Sequence, residues 1–416
     1  MNPRAALLFV LMGCAGLAQD GARDPAFTAV PFDQWLAGSE QPRLRWTTRV
    51  LPVELSNFQR MRARVEIQVD GEEVAKRRGR GFLVMLVQFN DSEGRIYQTH
   101  KVLDLQAMKE TAGKLNFVYS QDAFVLPGDY KISLGVFDTE TGDHSVAQRM
   151  LHVGPLKNDP LPAAWRDLPA VELLHDAPDE GLLPSAMGRL NLPLETRRPI
   201  RVELMVNASG QAAKSNWGEL IPALSVLSGM NVRNGALNVV LLDLARQRVV
   251  FEQNVVRDLD WRKLETGFKE ADPKVIDVHS LEKRGRSAQF FVKQVGERIG
   301  DAGEPVRVLI VLTGPVAFES GENLHAIELG AKPAGKLFYI RYHSPGPKPE
   351  FRPTFEEPRY GRRQIPPPPP RTLAPIEPID ALERTMKPLD PHVFDVYTPE
   401  QFRKALGTLI EEISRL

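Results

Sequence analysis

Two apolar stretches of the sequence, RVELMV and VRVLIVL, run directly into small polar residues. Both stretches have the composition of buried strands, so the polar residues stand where strands would end. The side chains and backbone of these polar residues offer neutral amide and hydroxyl groups, which can bind a partner by hydrogen bonding. The residues are Asn207, Ser209 and Gln211 after the first stretch, and Thr313 and Gly314 after the second.

Catalytic patterns find little support in the sequence. Ser209 lies in NASGQ, which lacks the Gly-x-Ser-x-Gly turn of a hydrolase nucleophile. The run KRRGRG has no nucleotide-binding fingerprint; we interpret it as a solvated turn between strands, with an anionic polymer as the alternative ligand. We therefore expect no enzyme, and an envelope hydrolase is the least favoured function. The histidines of the second half lack the spacing of a zinc site: His279, His325, His343 and His392.

The amino terminus has the order of a secretory signal. MNPR supplies a positive charge, AALLFVLMG is a short apolar run, and AGLA places small residues before polar chain. We predict a signal peptide over 1–18, and hence a secreted, periplasmic or extracellular protein. The only cysteine, Cys14, lies in this segment. It is either lost with the signal or, because LMGC resembles a bacterial lipoprotein box, lipidated as a membrane anchor.

The composition is that of a soluble globular protein. Hydrophobic residues make up 42% and charged residues 25% of the chain. A length of 416 residues is enough for two or three domains, each with its own core. The 53 basic and 53 acidic side chains balance, so we expect neither nucleic acid nor an anionic membrane as the partner. No segment holds the roughly 20 apolar residues that a membrane-spanning helix requires, and we predict no transmembrane helix.

Residues 46–154 have the pattern of an antiparallel β-sandwich. Alternating or apolar runs are separated by turn signals such as Asp70-Gly71 and PGD at 127–129, a spacing typical of all-β domains. Tyr130 follows this turn, which resembles the tyrosine corner of immunoglobulin-like sandwiches, although a Tyr that merely begins a strand fits equally well. We predict a lead-in over 19–45 and a linker over 155–197.

From residue 198 the pattern changes to strands alternating with helices. The run PVRVLIVLTG has the continuous apolar character of a strand buried on both faces of a parallel sheet. The ending TPEQFRKALGTLIEEISRL predicts a helix with Thr398 as its cap and Pro399 at its first position. This alternation predicts an open α/β sheet of Rossmann-like type, with helices on both faces, over 198–416.

A proline-rich segment interrupts this second domain over 344–391. It holds 14 of the 34 prolines of the chain. Because proline lacks a backbone donor and blocks the helix interior, we expect extended chain with neither a helix nor a central strand. The part YGRRQIPPPPPR joins Arg362 and Arg363 to a polyproline run. This run either docks in an aromatic groove of a partner or forms a stiff spacer on its own domain.

The second domain resembles a von Willebrand factor type A domain over 198–416, apart from the insertion. The strand VELMVNASGQ stands where that family has its Asp-x-Ser-x-Ser strand, and an amphipathic helix follows it. The strand VRVLIVLTGP resembles the family's apolar strand that ends in Leu-Thr-Asp-Gly, and a terminal amphipathic helix completes the domain. With the preceding sandwich and the signal peptide, the chain resembles secreted bacterial proteins of this superfamily.

The resemblance implies a metal-ion-dependent adhesion site, and the sequence departs from it at most positions. Asn207 replaces the first Asp and Gln211 replaces the second Ser. Gly314 replaces the Asp that follows Leu-Thr, whereas Ser209 and Thr313 match the family. Mg²⁺ favours oxygen ligands with carboxylate support, and a unit charge about 4 Å from an ion is worth several kcal/mol. The loss of two such charges predicts a degenerate site without Mg²⁺ or Mn²⁺, and no other cofactor.

We therefore predict a secreted or cell-envelope module for protein–protein interaction or adhesion that works without metal. Open α/β sheets bind ligands at the carboxyl ends of their strands, which is where the polar residues stand. The alternatives are that these residues only cap strands and helices, or that the chain is a structural subunit of an envelope assembly. The candidate partner-binding residues are Asn207, Ser209, Gln211, Thr313, Arg362 and Arg363.

Overall fold

A computed structural model gives the structure of the protein. It describes residues 24–38, 44–108, 116–174, 190–208, 213–255, 258–271, 287–299, 305–314, 316, 335–343 and 380–416. The chain divides into two compact units, Met1–Leu192 and Pro193–Leu416. Both units are rich in strands, so the chain is a β-rich multi-domain protein. In the part that the structure describes, no helix is long and apolar enough to cross a membrane.

Two antiparallel sheets build the first unit. Their strands are β1 Trp46–Val50, β2 Glu54–Leu55, β3 Met61–Val69, β4 Phe82–Asn90, β5 Ile96–Asp104, β6 Phe117–Val125, β7 Gly128–Asp138, β8 His144–Val153 and β9 Val171–Leu173. One sheet has the order β1-β3-β6-β9, with β2 paired to β3, and the other has the order β5-β4-β7-β8. Strand β3 buries every second side chain, because successive residues of a strand point to opposite faces.

The core of the first unit lies between these two sheets. Inward side chains from both sheets, such as Ile67 of β3 and Phe89 of β4, are fully buried in one cluster. The Tyr130 hydroxyl donates to the carbonyl of Leu126 at 2.8 Å and to that of Ala170 at 3.0 Å. Burial raises the pKa of Tyr130 to about 12. The bond to a carbonyl just upstream is the one that a tyrosine corner makes.

The predicted lead-in contains two short helices, α1 Pro25–Thr28 and α2 Phe32–Ala37. The carboxylate of Asp24 caps α1 by accepting a hydrogen bond from the backbone nitrogen of Ala26 at 2.8 Å. The sequence predicted a lead-in over 19–45 but did not predict these helices. Helices of four and six residues are too short to show a helical period in the sequence.

The turn expected at Asp70-Gly71 is instead the start of helix α3, Gly71–Arg77. The carboxylate of Asp70 accepts from the backbone nitrogens of Glu72 and Glu73, which is the role of an Asp at a helix N-cap. The run KRRGRG therefore begins within a helix, and its interpretation as a turn between strands was wrong for its first residues. In the predicted linker, β9 pairs with β6 and extends the first sheet.

A six-stranded sheet forms the centre of the second unit. The elements are β10 Leu192–Leu194, β11 Ile200–Asn207, α4 Ala213–Ser228, β12 Met230–Val232, β13 Gly235–Asp243, β14 Arg248–Val255, α5 Trp261–Glu270, α6 Ser287–Ile299, β15 Val306–Thr313, β16 Lys336–Tyr342, α7 Ala381–Met386, β17 His392–Val396 and α8 Pro399–Ser414. The strand order is β14-β13-β11-β15-β16-β17. All neighbours are parallel except the edge strand β14, which is antiparallel to β13.

Helices contact both faces of this sheet. On one face, Phe291 of α6 and Leu382 of α7 join a buried cluster with Val311 of β15. On the other face, Phe402 of α8 contacts Tyr342 of β16, with ring centroids 5.4 Å apart. The central strands are buried on both faces, which explains why their sequences are continuously apolar.

The helices and strands expected in the described part of this unit are confirmed, and Thr398 forms a capping box with Gln401 at the start of α8. The end of the proline-rich segment is an exception. There the chain forms α7 and a 3₁₀ turn over Lys387–Leu389, so the expectation of no helix was wrong for these residues. Asp380 caps α7, and no proline falls within the helix.

Candidate functional site

Polar residues form a row across four adjacent strands at the carboxyl end of the six-stranded sheet. Asn207 ends β11, Thr313 ends β15, and Arg341 and Asp395 lie near the ends of β16 and β17. In the strand register Thr313 is beside Arg341, which is beside Asp395. The register of β11 with β15 places Asn207 level with Thr313. We name these four residues the polar row; its position is where open α/β sheets bind ligands.

Asn207 and Thr313 form a neutral hydrogen-bonded pair. The Nδ2 of Asn207 donates to the Oγ1 of Thr313 at 3.2 Å. The Thr313 hydroxyl in turn donates to the carbonyl of Gly314 at 2.9 Å. Both side chains are buried, with 7% of Asn207 and 1% of Thr313 exposed. An amide and a hydroxyl supply none of the negative charge that a divalent ion favours.

Arg341 binds three carboxylates at the other half of the row. Its Nη1 donates to Asp380 at 3.0 Å and to Glu383 at 2.9 Å. Its Nε donates to the Oδ1 of Asp395 at 2.6 Å. The hydroxyl of Tyr339 also donates to Asp380, at 2.6 Å. Three carboxylates around one guanidinium give this half of the row an excess of negative charge.

An imidazole and an exposed aromatic ring lie beside Asp395. The Nε2 of His343 is 2.7 Å from the Oδ1 of Asp395. The ring of Tyr397 stacks on the His343 ring, with centroids 4.1 Å apart and an interplanar angle of 11°. The backbone nitrogen of Tyr397 donates to the side chain of Gln401 at 2.7 Å. Tyr397 is therefore held in position, although 47% of it is exposed.

The ion pairs fix the charges of this half of the row. The hydrogen bond to Asp395 raises the pKa of Arg341; burial acts in the opposite direction, and the bond to Asp380 adds to the increase. Burial alone would raise the pKa of Asp395, but the hydrogen bonds from Arg341 and His343 outweigh it and lower that pKa. Burial, followed by the charge of Asp380, raises the pKa of Tyr339 well above its ordinary value. Arg341 and Asp395 thus stay charged and Tyr339 stays protonated at neutral pH.

The structure brings two of the predicted candidates, Asn207 and Thr313, into contact, and places Gly314 beside them as an acceptor. It adds Arg341 and Asp395, which the sequence reasoning missed. Their signal was a single charged residue within each apolar run, in KLFYIRYH and HVFDVY. In the described part of the chain, no group of three or more His, Cys, Asp or Glu side chains could hold a metal. Outside that part lie Cys14, Ser209, Gln211, Arg362 and Arg363.

Comparison with known proteins assigns no family. No family model and no curated protein matches the sequence. A putative ApaA protein from Bordetella pertussis is 13% identical over 27% of this chain and 94% of its own, with a TM-score of 0.16. The PKD domain of the human VPS10 domain-containing receptor SorCS2 is 14% identical over 35% of this chain and 100% of its own, with a TM-score of 0.16. Likeness at this level carries no argument about fold or function.

Proposed function

We propose that the protein is a secreted or cell-envelope module for protein–protein recognition that binds its partner at the polar row, without a metal. In this proposal the second unit is a von Willebrand factor type A-like domain with a degenerate adhesion site. The first unit is an immunoglobulin-like sandwich. The observation that carries the proposal is the in-register row of polar side chains at the carboxyl edge of the parallel sheet.

The ion pair of the row's own carboxylate supports metal independence. Its single carboxylate, Asp395, is bound by the guanidinium of Arg341, a cation that the protein itself provides. At the other end, the hydrogen bond between Asn207 and Thr313 uses the amide and the hydroxyl that would have to face an ion. A divalent cation would have to displace these bonds without gaining a carboxylate from the pair.

The exposed end of the row has the composition of a protein interface. Tyr and Arg are enriched among the residues that dominate binding energy, because each combines a large contact area with hydrogen-bonding groups. Tyr397 presents nearly half of its surface on a fixed ring. Asp395, which contacts the stacked His343, and Glu383, which contacts Arg341, are similarly exposed. A partner can therefore contact an aromatic face and carboxylate oxygens at the same place.

Metal independence is tested by thermal unfolding in EDTA and then in millimolar Mg²⁺, Mn²⁺ or Ca²⁺. A ligand of the native state raises the unfolding midpoint by mass action, and we expect no shift for the wild-type protein. The variant Asn207→Asp with Gly314→Asp restores the two carboxylates that the resembled family has at these positions, and we expect it to gain a shift. A wild-type shift that disappears in Ser209→Ala would contradict metal independence.

Recognition at the row is tested by placing a photo-cross-linking residue at position 397 and irradiating the cell-envelope fraction. We expect a discrete protein adduct, and a weaker one when Arg341→Met removes the centre of the charge network. The matched control carries the same residue at position 249, an exposed site on the edge strand β14. Adducts of equal yield and mass from both positions would mean that the polar row is not the binding site.

A further inference from the structure

Residues 24–38, which we name the N-terminal strap, cover the outer face of the β5-β4-β7-β8 sheet. Phe27 and Phe32 of the strap are buried in a cluster with Val84 and Leu86 of β4. The partly buried residues around this cluster are Val30, Trp35, Leu36, Val102, Phe137 and Val146. The strap thus converts an apolar sheet face, which would otherwise meet water, into a second buried layer.

The shapes of the strap and the sheet match closely. A Cβ atom at Gly135 would lie 2.7 Å from the Cε2 of Phe32, so the phenylalanine ring occupies the space of the missing side chain. Trp35 stacks on His144, with ring centroids 4.1 Å apart and an interplanar angle of 14°. An unrelated apolar segment would not meet both conditions, whereas every copy of this chain carries the sequence that does.

Side-chain contacts hold the strap on the sheet. In the described residues, the backbone–backbone hydrogen bonds of the strap are internal, such as Gly38 to Gln34. Polar attachment to the sheet comes from Asp24: its carboxylate is 2.8 Å from the Nδ1 of His100, and its backbone nitrogen donates to Gln98. All these contacts form equally well whether strap and sheet belong to one chain or to two.

The chain after the strap returns to the sheet over a short connection. Residues 39–43 separate Gly38 from Leu44, and the backbone nitrogen of Leu44 donates to the Oγ of Ser145 on β8 at 3.1 Å. Exchange of an identical element between copies is a low-cost route to a dimer. We propose that the strap is exchangeable, and that the face it covers is an interface for the strap of a second copy.

The test uses the full chain in a Cys14→Ser background, so that engineered cysteines are the only thiols. Trp35→Cys and His144→Cys form the reporting pair, because their rings are stacked in the native arrangement. A chain that carries both variants shows whether a short bismaleimide joins the two positions. Two chains that carry one variant each are then unfolded together, refolded and cross-linked, and the yield at twice the chain mass is measured.

A mixture with Val249→Cys in place of His144→Cys reports random collision. We expect the reporting mixture to exceed this control by roughly fivefold or more, because docking raises the local concentration of the two thiols. The proposal is overturned if the double variant cross-links within its own chain while the mixture gives only the control yield. If the loss of Trp35 loosens the strap, a second pair, Leu36→Cys with Val146→Cys, replaces the first. Its cross-linking yields within one chain and between two chains are compared in the same way.

Discussion

Each unit contains an arginine that binds three carboxylates, and the two networks differ in what they connect. The network in the first unit joins helix α3 to the turn between β7 and β8, whereas that in the second unit lies at the carboxyl edge of a parallel sheet. Arg77 donates to Glu73, Asp138 and Asp143, and Arg341 donates to Asp380, Glu383 and Asp395.

Exposure separates the two networks. The carboxylates of Asp138 and Asp143 are 2% and 27% exposed, so little of the first network meets water. In the second, Glu383 and Asp395 are 46% and 42% exposed. Burial acts to lower the pKa of Arg77, but the hydrogen bonds that it donates to Asp138, Glu73 and Asp143 outweigh burial and raise that pKa. The same set of ion pairs is thus largely buried in one unit and nearly half exposed in the other.

We call the largely buried network around Arg77 the closed network, and the more exposed network around Arg341 the open network. The largest expected effect is the loss of the closed network. Arg77→Met leaves the buried carboxylate of Asp138 with only the backbone nitrogens of Glu140 and Thr141 as donors, and it removes the guanidinium from the buried Glu73. Breaking a buried ion pair by removing one partner costs about 3–5 kcal/mol. Denaturant unfolding, followed through the transition of the first unit, measures this loss. The control Arg45→Met removes an exposed pair with Glu72 and should cost less than about 1 kcal/mol. Equal losses in both variants would mean that the Arg77 network is not closed to solvent.

Loss of the open network should cost less. In Arg341→Met the buried carboxylate of Asp380 keeps the Tyr339 hydroxyl and the backbone nitrogen of Leu382 as donors. The other two carboxylates, Glu383 and Asp395, are nearly half exposed, so water replaces the guanidinium there. We therefore expect the free energy of unfolding of the second unit to fall by about 1–3 kcal/mol. The cross-link from position 397 should weaken in the same variant. A loss as large as that of Arg77→Met, with an unchanged cross-link, would assign Arg341 to packing alone.

A matched pair of smaller changes sharpens the comparison. Glu73 accepts from two nitrogens of Arg77 in a buried position, so Glu73→Gln should cost about 1 kcal/mol through its weakened hydrogen bonds. Glu383 is half exposed, and Glu383→Gln should cost less than about 0.5 kcal/mol, as at other solvated pairs. Circular dichroism in urea measures both. The reverse order would contradict the assignment of the closed and the open network.

The sequence predicted one half of the polar row and missed the other for a physical reason. Asn207 and Thr313 each follow a long apolar run, so the run itself marks the end of the strand. Arg341 and Asp395 lie within their strands, and their meeting depends on the register between β16 and β17. Thirty-six residues outside the described part, 344–379, come between these strands, and a sequence pattern does not fix register across such a distance.

The helices of the strap and α3 were missed in the sequence because a short sequence pattern is compatible with more than one local structure. Asp70-Gly71 fits a tight turn, yet an Asp that accepts from the two following nitrogens equally well begins a helix. Phe27 and Phe32 lie in helices shorter than two turns, and only the apolar sheet face beneath them explains their burial. Long elements with a clear period, such as α8, were predictable because the pattern repeats over several turns.

The smallest expected effect is the pH dependence of Asp395. Its pKa is lower in the folded protein than its ordinary value, so the charged carboxyl stabilises the fold above the unfolded pKa. That stability is lost as the pH falls through the folded pKa. Asp395→Asn should therefore lower the thermal midpoint slightly at pH 7, by an amount that stays constant to about pH 5 and shrinks below about pH 4. The comparison is made in a His343→Gln background, which removes a titrating neighbour; a difference that grows as the pH falls would mean that the open network does not hold Asp395 as an anion.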